Sequence, residues 1–318
     1  MIKALIERGD KPVVFDRNDD PHRLRAIMDD HAVSRVRFLQ GDVTDAAAVR
    51  DALASSGARK IIHLAGLQVP TCKAYPVDGA LVNVVGTLNV FEAGKALGVD
   101  RIAYASSAAV YGLTDDGAPV DENVLAEPST HYGVFKKANE GNARVYYLDH
   151  GVSSVGLRPL TVYGVGRDTG LTSDPTKAMK SAVLGRPFEI RFSGATDFLY
   201  VADTAAAFLA SADRSPEGAH VFNLHGDSVD VTQIVGTIDE HLPSKKQGLI
   251  TFAGPPIPIA PAMDDSLFRQ TVGGVTFTPL SEGVRQTINR FSELAEAGRL
   301  DDADLSPTPP VSAECKAS

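Results

Sequence analysis

The chain has 318 residues, of which 43% are hydrophobic and 22% charged, an ordinary composition for a globular protein with a packed core. Its apolar runs, such as residues 61–67, are far shorter than the roughly 18 residues of a membrane span, and its net charge of −9 without clustered Lys and Arg argues against nucleic acid as a partner. The two cysteines, Cys72 and Cys315, are far apart in the sequence, and no His spacing suits a metal, so we expect no metal site. With no export signal, the sequence predicts a cytoplasmic protein.

Short runs rich in Val and Ile alternate with segments of helical period through much of the chain. This alternation is typical of parallel strands that are joined by crossover helices. The pattern predicts helices at residues 2–8, 45–55, 79–97, 131–150 and 176–184. It predicts strands at residues 13–16, 36–39, 60–65, 101–106, 155–158 and 220–224. The predicted fold class is therefore α/β.

From about Leu160 the regular alternation gives way to segments rich in Gly and Pro, including Gly164, Gly170 and Pro187. A second run of prolines occupies residues 255–261. Irregular segments of this kind often form a substrate lobe over a regular scaffold, but they are equally compatible with plain surface loops.

The most informative local pattern is Tyr132-Gly-Val-Phe-Lys136. Residues four apart on a helix lie on the same face, so the phenol and the ammonium group can act together. A phenol has an ordinary pKa of about 10, and a nearby cation favours its phenolate form. Such a pair also occurs by chance in many helices, so the pattern needs support from its surroundings.

Ser107 provides that support, because it follows the predicted strand 101–106 at the carboxyl end, where ligands bind in open α/β sheets. Its hydroxyl could hold a substrate oxygen while Tyr132 transfers a proton. The alternative is that Ser106 and Ser107 only turn the chain after the strand.

Together these segments resemble the extended short-chain dehydrogenase/reductase family, which includes NAD-dependent epimerases and dehydratases of nucleotide sugars. The resemblance runs in order through nearly the whole chain, with matching segments at residues 63–66, 83–87, 104–112, 132–136, 157–159, 162–164, 197–203 and 277–279. It implies a Rossmann-type doubly wound parallel sheet with a smaller C-terminal substrate lobe. The dinucleotide-binding domain would comprise residues 1–160, and residues 197–225 would return to it. The lobe would comprise residues 161–196 and 226–300, and residues 301–318 would form a flexible tail.

The resemblance also assigns roles to the catalytic residues. Tyr132 would be the general acid/base, Lys136 its cationic neighbour and a ligand of the nicotinamide ribose, and Ser107 the residue that orients the reacting oxygen. Asn83 would be the family's structural asparagine near the cofactor. The alternative, a buried polar residue that hydrogen-bonds to backbone groups of the helix, is nearly the same claim. His63 and His131 are predicted to be structural.

The resemblance assigns five further residues to the cofactor site, which are Asp16, Asp42, Val43, Ala65 and Gly66. Asp16 would accept hydrogen bonds from the adenosine ribose and repel a 2′-phosphate, which favours NAD over NADP. Asp42 and Val43 would contact the adenine ring, while Ala65 and Gly66 would let the cofactor approach the backbone.

The sequence departs from the family at its beginning. The family opens with a strand and a Gly-rich turn that hold the pyrophosphate, whereas residues 1–9 resemble the remainder of the first helix. We expect a start codon assigned too late, with about 20 to 30 further residues in the natural protein, rather than a genuine truncation. Without that strand, its two neighbours would lack a partner.

A second departure concerns the substrate. Nucleotide-sugar epimerases usually carry Arg before the Asp-Phe-x-Tyr-Val segment and Asn before Val-Tyr-Gly, where this chain has Thr196 and Thr161. Thr cannot replace the bidentate recognition of phosphate by Arg. Ser107, Thr161 and Arg167 are the predicted substrate-binding residues. Neighbouring cations could also bind an anionic group of the substrate, namely Lys177, Lys180, Arg186 and Arg191.

The sequence thus predicts an NAD-dependent epimerase or dehydrogenase that acts on a hydroxyl of a sugar or a sugar-derived substrate; dehydration is least favoured because Ala108 and Ala109 follow Ser107. The alternative is a catalytically silent dinucleotide-binding or interaction protein, or an inactive truncated form. By resemblance, a homodimer would form through helices 79–97 and 131–150.

Overall fold

Strands and helices alternate through the computed structural model, which describes residues 1–113 and 118–305. The strands are β1 Val13–Asp16, β2 Arg37–Gln40, β3 Lys60–His63, β4 Arg101–Ala105, β5 Ser154–Arg158, β6 Thr161–Tyr163, β7 Phe188–Ile190, β8 Ala195–Tyr200, β9 Ala219–Asn223, β10 Asp227–Asp230 and β11 Ile250–Phe252. The α-helices are α1 Ile2–Glu7, α2 His22–Arg25, α3 Asp30–Ser34, α4 Ala46–Ser56, α5 Val69–Ala74, α6 Pro76–Ala80, α7 Gly86–Leu97, α8 His131–His150, α9 Asp174–Val183, α10 Val201–Arg214, α11 Val231–Glu240, α12 Ser266–Thr271 and α13 Leu280–Glu296. The predicted α/β class is confirmed.

The main sheet has the strand order β3-β4-β5-β9, and all of its strands are parallel. Strand β5 is buried along its whole length, as expected of a strand that is covered on both faces. Phe208 of α10 and Phe268 of α12 pack on one face, while Val49 of α4 and Phe91 of α7 pack on the other. Helices on both faces make this the doubly wound arrangement that the resemblance implied.

Strands β1 and β2 form a separate parallel pair. Within the described residues, β1 pairs only with β2 and β3 pairs only with β4 on this side of the molecule. A groove of about 630 Å³ lies between β1 and β3, and apolar side chains such as Phe15, Ile61 and Val90 line it. The acids at the ends of β1 and β2 are therefore carried by a different sheet from the residues that follow β3 and β4.

The substrate lobe has its own core. Residues between 161 and 300 form one apolar cluster in which Met179, Phe192, Ile234 and Phe291 are almost fully buried. Two small sheets, β10-β8-β6 and β11-β7, lie in the same part of the chain. This clustering supports the predicted lobe, while the domain bounds themselves stay a prediction.

The segment 301–318 was expected to be a flexible tail. Residues 301–305 contact the lobe, because Lys180 donates to Asp304 at 2.6 Å and Arg186 donates to Asp302 at 2.7 Å. The remainder of the predicted tail, with Cys315, lies outside the described residues.

Candidate active site

The catalytic residues predicted from sequence come together at the carboxyl end of β4. Ser107 follows this strand and caps a short 3-10 turn, accepting a hydrogen bond from the backbone nitrogen of Ala109 at 3.1 Å. Helix α8 begins nearby, and Thr130 caps it by accepting from the backbone nitrogen of Gly133 at 3.1 Å. This arrangement brings the Tyr132 phenol into a hydrogen bond with the Ser107 side chain.

Gly133 permits the close approach of these two segments. A Cβ at this position would lie 2.8 Å from Cβ of Pro128 and closer still to the carbonyl oxygen of Ala109. Only glycine fits without a shift, because real Cβ atoms essentially never approach a neighbour so closely. Position 133 therefore helps to fix the distance between Tyr132 and Ser107.

Lys136 lies one helical turn after Tyr132 and is only 5% exposed. Its ammonium group donates to the carbonyl oxygen of Ala105 at 2.7 Å and lies 5.4 Å from the centre of the Tyr132 ring. Burial lowers the pKa of Lys136 to about 8, and only the nearby Cys72 thiol opposes this shift. The lysine is thus anchored to the end of the strand that carries Ser107.

The electrostatics at Tyr132 differ from the sequence-based expectation. Burial raises the pKa of the phenol above its ordinary value, while the hydrogen bond with Ser107 and the positive charge of Arg167 act in the opposite direction. Arg167 therefore acts beside Lys136, whose ammonium group lies 5.4 Å from the ring, as a second cation near the phenol. In the protein without ligand the phenol is protonated near neutral pH.

Asn83 is buried and holds the segment that follows β3. Its amide oxygen accepts from the backbone nitrogen of Leu67 at 3.0 Å, and its amide nitrogen donates to the oxygen of Leu67 at 3.1 Å and to the sulfur of Cys72 at 3.2 Å. A Cβ on Gly66 would lie 2.6 Å from this amide oxygen, so residue 66 must stay small. Asn83 thus fixes the predicted cofactor segment at Ala65 and Gly66.

Asn83 sits in a π-helical turn, Leu81–Val85, between α6 and α7. The predicted helix 79–97 therefore contains a wider turn that periodicity alone does not reveal. Such single-turn π segments occur often at functional sites, because the extra residue redirects a side chain.

Asp16 is the last residue of β1 and Asp42 follows β2, where the predicted adenosine end of the cofactor would bind. The Asp16 carboxylate accepts from the backbone nitrogen of Asn18 at 3.0 Å, and the Asp42 carboxylate accepts from the backbone and hydroxyl of Thr44 at 2.8 Å. Arg17 is 3.9 Å from Asp42. Val43 packs against Gly86 at the start of α7. The structure thus groups these residues at one edge of the β1-β2 pair.

The predicted substrate residues Thr161 and Arg167 have different environments. Thr161 is fully buried, and its hydroxyl is 2.9 Å from that of Thr196, so each satisfies the other. Arg167 lies in the loop after β6, donates to the hydroxyl of Thr172 at 2.9 Å, and acts electrostatically on Tyr132. Of the two, the structure brings Arg167 to the catalytic residues.

Sequence reasoning missed Glu140, although it lies two helical turns beyond Tyr132 on the face that Lys136 shares. Its carboxylate accepts two hydrogen bonds from Arg158 at 2.7 Å and one from Ser106 at 2.5 Å. This ion pair is nearly buried and ties α8 to β4 and β5. The recurrence of polar residues at positions 132, 136 and 140 was the available signal.

His63 is buried beside the site, and its Nε2 atom is 3.0 Å from the hydroxyl of Thr87. Burial lowers the pKa of His63 to about 3, so the imidazole stays neutral. Across residues 1–113 and 118–305, no three His, Cys, Asp or Glu side chains are grouped so that they could hold a metal ion. No helix in this described part is both long and apolar enough to cross a bilayer.

Comparison with known proteins agrees with this geometry. UDP-glucuronate 4-epimerase 5 of Arabidopsis thaliana is 30% identical over 266 residues, which are 76% of this chain and 60% of that protein. UDP-glucose 4-epimerase of Rhizobium meliloti (strain 1021) is 28% identical over 256 residues, 74% of this chain and 76% of that protein. This chain therefore spans less than two thirds of the Arabidopsis relative.

Among solved structures, MoeE5 in complex with UDP-glucose and NAD has a TM-score of 0.78 and 25% sequence identity, over 92% of this chain and 94% of that one. A family model described as the NAD dependent epimerase/dehydratase family matches residues 1–224. The match covers more than half of the chain and confirms the resemblance seen in the sequence. The chain belongs to the NAD dependent epimerase/dehydratase family.

Proposed function

We propose that this protein is an NAD-dependent epimerase or dehydrogenase that acts on a hydroxyl group of a sugar or a sugar-derived substrate. The observation that carries the proposal is the cluster of Ser107, Tyr132 and Lys136 at the carboxyl end of β4, with the Tyr132 phenol bonded to Ser107 and the Lys136 ammonium over its ring. The matched family and the UDP-sugar epimerases among its relatives support the same chemistry.

In this proposal Ser107 hydrogen-bonds the substrate hydroxyl and Tyr132 exchanges its proton. NAD would supply the hydride acceptor for the carbinol carbon. When the hydroxyl is oxidised, the Tyr132 phenolate takes its proton, and the positive charges of Lys136 and Arg167 stabilise that phenolate. In the reverse direction the phenol, which its raised pKa keeps protonated, returns the proton.

The residues present fit NAD at both ends. Gly66 leaves room beside Asn83 where a Cβ would collide, and Lys136 retains donors beyond its bond to Ala105 for a ribose hydroxyl. Asp16 and Asp42 offer carboxylate acceptors at the ends of β1 and β2. An acid at Asp16 favours NAD over NADP, because its charge repels a 2′-phosphate.

Replacement of Tyr132 by Phe tests the catalytic role. The measurement is turnover of UDP-glucose and UDP-glucuronate together with thermal unfolding of each variant. We expect turnover to fall by about 100-fold or more while folding is retained, as for loss of a general acid/base. Tyr147→Phe on the same helix is the matched control and should keep full activity. Retained turnover in Tyr132→Phe contradicts the proposal.

One observation favours the alternative of a catalytically silent protein. The acids Asp16 and Asp42 and the segment Ala65–Gly66 lie on opposite sides of the groove between β1 and β3. Among residues 1–113 and 118–305, no continuous sheet joins these two parts of the predicted cofactor site. Calorimetric titration with NAD separates the two proposals. NAD binding together with turnover of UDP-glucose or UDP-glucuronate supports the enzyme. NAD binding without turnover supports a silent dinucleotide-binding protein, and no NAD binding supports an interaction protein or an inactive form.

A homodimer is the assembly that we propose. Large apolar side chains are exposed along the π turn and α8, namely Leu81, Val85, Val134, Val145 and Leu148. Positions 134, 145 and 148 follow one face of α8, since they are separated by multiples of about 3.6 residues. Light scattering tests this assembly; Leu148→Glu should shift the mass from dimer to monomer, and a monomeric unmodified protein contradicts it.

A further inference from the structure

Helix α8 carries a further buried polar residue on the face that bears Tyr132 and Lys136. Asn139 lies two helical turns after Tyr132 and is only 1% exposed. Its amide nitrogen donates to the carbonyl oxygen of Asn83 at 2.7 Å and to the hydroxyl of Thr87 at 3.2 Å. Helix α8 is thereby bonded to the backbone of the π turn that carries Asn83.

The directions of these hydrogen bonds are fixed by their chemistry. The Asn83 carbonyl oxygen can only accept, so the amide nitrogen of Asn139 and the hydroxyl of Thr87, 2.7 Å away, both donate to it. Thr87 has then used its single proton, so the Nε2 atom of His63, 3.0 Å away, must donate to the Thr87 oxygen. The neutral imidazole is therefore protonated at Nε2. This network joins β3, the π turn, α7 and α8.

The π turn holds the segment that follows β3. The Asn83 side chain accepts from the backbone nitrogen of Leu67 at 3.0 Å and donates to the oxygen of Leu67 at 3.1 Å. A Cβ at Gly66 would lie 2.6 Å from the Asn83 amide oxygen and 3.6 Å from the Lys136 ammonium nitrogen. The predicted cofactor segment, Asn83 and Lys136 thus meet at one point. Asn139 is bonded to the backbone of the residue that links them.

Packing alone does not explain an asparagine at position 139. Its amide oxygen is buried without a partner in the part of the chain that the structure describes, and such an acceptor lowers the stability of the folded state. Leucine has a similar shape and no polar atom, so it would fill the position without this cost. The Asn83 carbonyl oxygen would still accept from Thr87. What asparagine adds is the direction that its donated hydrogen bond imposes.

We propose that Asn139 is a positioning residue for the cofactor. Its hydrogen bond to the Asn83 carbonyl oxygen fixes the segment 65–67 relative to helix α8. The inference rests on the proposed function, in which NAD lies beside this segment and Lys136. Loss of the bond should therefore weaken the affinity for NAD and leave the phenol of Tyr132 in place.

Hydrogen exchange of the protein without cofactor tests the positioning directly. The reporter is the backbone amide of Leu67, which donates to the side chain of Asn83. In Asn139→Leu we expect this amide to exchange with D₂O about 10-fold faster, while the amides of β4 and β5 keep their protection. Asn142→Leu is the matched control, since it makes the same change on the same helix outside the network. It should leave the exchange of Leu67 unchanged.

Affinity for NAD gives the second readout. Calorimetry should show NAD binding about 10-fold weaker in Asn139→Leu, with turnover at saturating NAD little changed. Thr87→Val removes the other side-chain donor to the same carbonyl oxygen. In a double-mutant cycle, the losses of affinity from the two replacements should therefore be coupled rather than additive.

Three results overturn the inference. They are an unchanged Leu67 amide in Asn139→Leu, equal acceleration of the amides of β4 and β5, which marks a general loss of stability, and unchanged NAD affinity in a variant whose Leu67 amide exchanges faster. Asn139→Ala repeats the measurement without added methyl groups where leucine prevents folding. The proposed function fails separately, through retained turnover in Tyr132→Phe, and the exchange experiment then still decides whether Asn139 positions the segment.

Discussion

Replacement of Gly133 by Ala should misplace Tyr132, the proposed catalytic tyrosine, while leaving the phenol itself intact. The added Cβ would lie 2.8 Å from Cβ of Pro128 and closer to the carbonyl oxygen of Ala109. Pro128 lies in the turn before α8 and Ala109 in the turn after Ser107. Neither of the two contacted atoms can therefore rotate away, as the end of a long side chain could. The start of α8 must therefore move by about 1 Å to restore contacts of roughly 3.5 to 4 Å.

Two magnitudes follow from this displacement. Overpacking of this kind costs about 1–3 kcal/mol of folding free energy. A displacement of about 1 Å at a catalytic group can lower turnover by about 100-fold. We expect both effects in Gly133→Ala, because the hydrogen bond between Tyr132 and Ser107 crosses the contact that is disturbed.

The assays are urea unfolding and turnover of UDP-glucose or UDP-glucuronate. Gly236→Ala is the matched control, since Gly236 lies in helix α11 with nothing within 4 Å of an added Cβ. That variant should gain about 0.5–1 kcal/mol and keep its activity. A Gly133→Ala protein as stable and as active as the unmodified protein would refute the reasoning.

Three further predictions follow from the same structure. The pKa of Lys136 is about 8 in the folded chain and about 10.5 in the unfolded chain, so the unfolded chain binds more protons between these pH values. The free energy of unfolding should therefore rise with pH in this range, by up to about 3 kcal/mol. Urea unfolding of Lys136→Met should lack this rise. Amides at residues 13–16 and 60–63 that face the groove should exchange with D₂O faster than those paired to β2 and β4, and uniform protection would contradict the separate sheets. Asp16→Ala should reduce the preference for NAD over NADP in calorimetry, and an unchanged preference would remove Asp16 from the cofactor site.

Most strands and the longer helices in the first half of the chain were predictable from its periodicity, whereas the short helices α2, α3 and α5 were not predicted. The predicted strand 13–16 agrees with β1 and the predicted helix 131–150 agrees with α8, while strand 36–39 is shifted by one residue relative to β2. Strand 60–65 is shorter in the structure and ends at His63. These elements are long or strongly patterned, so local sequence determines them.

The lobe was less predictable. Strands β6, β7 and β11 have three residues each, too few for a periodic signal, and were not predicted. Helix α9 begins at Asp174, two residues before the prediction, because Pro175 is tolerated in the first turn. Short elements of this kind depend on the packing of the lobe core.

Ion pairing in the folded chain separates the cations that the sequence offered in the lobe. The sequence predicted Arg167 as a substrate-binding residue and offered four further cations as possible anion sites, namely Lys177, Lys180, Arg186 and Arg191. The partners of Lys180 and Arg186 lie 124 and 116 residues away, in a segment that resembled a tail. Only the folded chain shows which charges are compensated, whereas the spacing of Tyr132 and Lys136 on a helix is a local property that a sequence displays directly.

The division of the sheet separates the proposed catalytic residues from the proposed cofactor-binding acids. Ser107 follows β4, which is hydrogen-bonded to β3 and β5 along its length, and the Glu140–Arg158 pair ties α8 to the same sheet. Asp16 and Asp42 depend instead on the β1-β2 pair across the groove. Changes that alter how the two sheets are held together should therefore act first on affinity for NAD. They should leave the Ser107–Tyr132 hydrogen bond, and with it the environment of the phenol, unchanged.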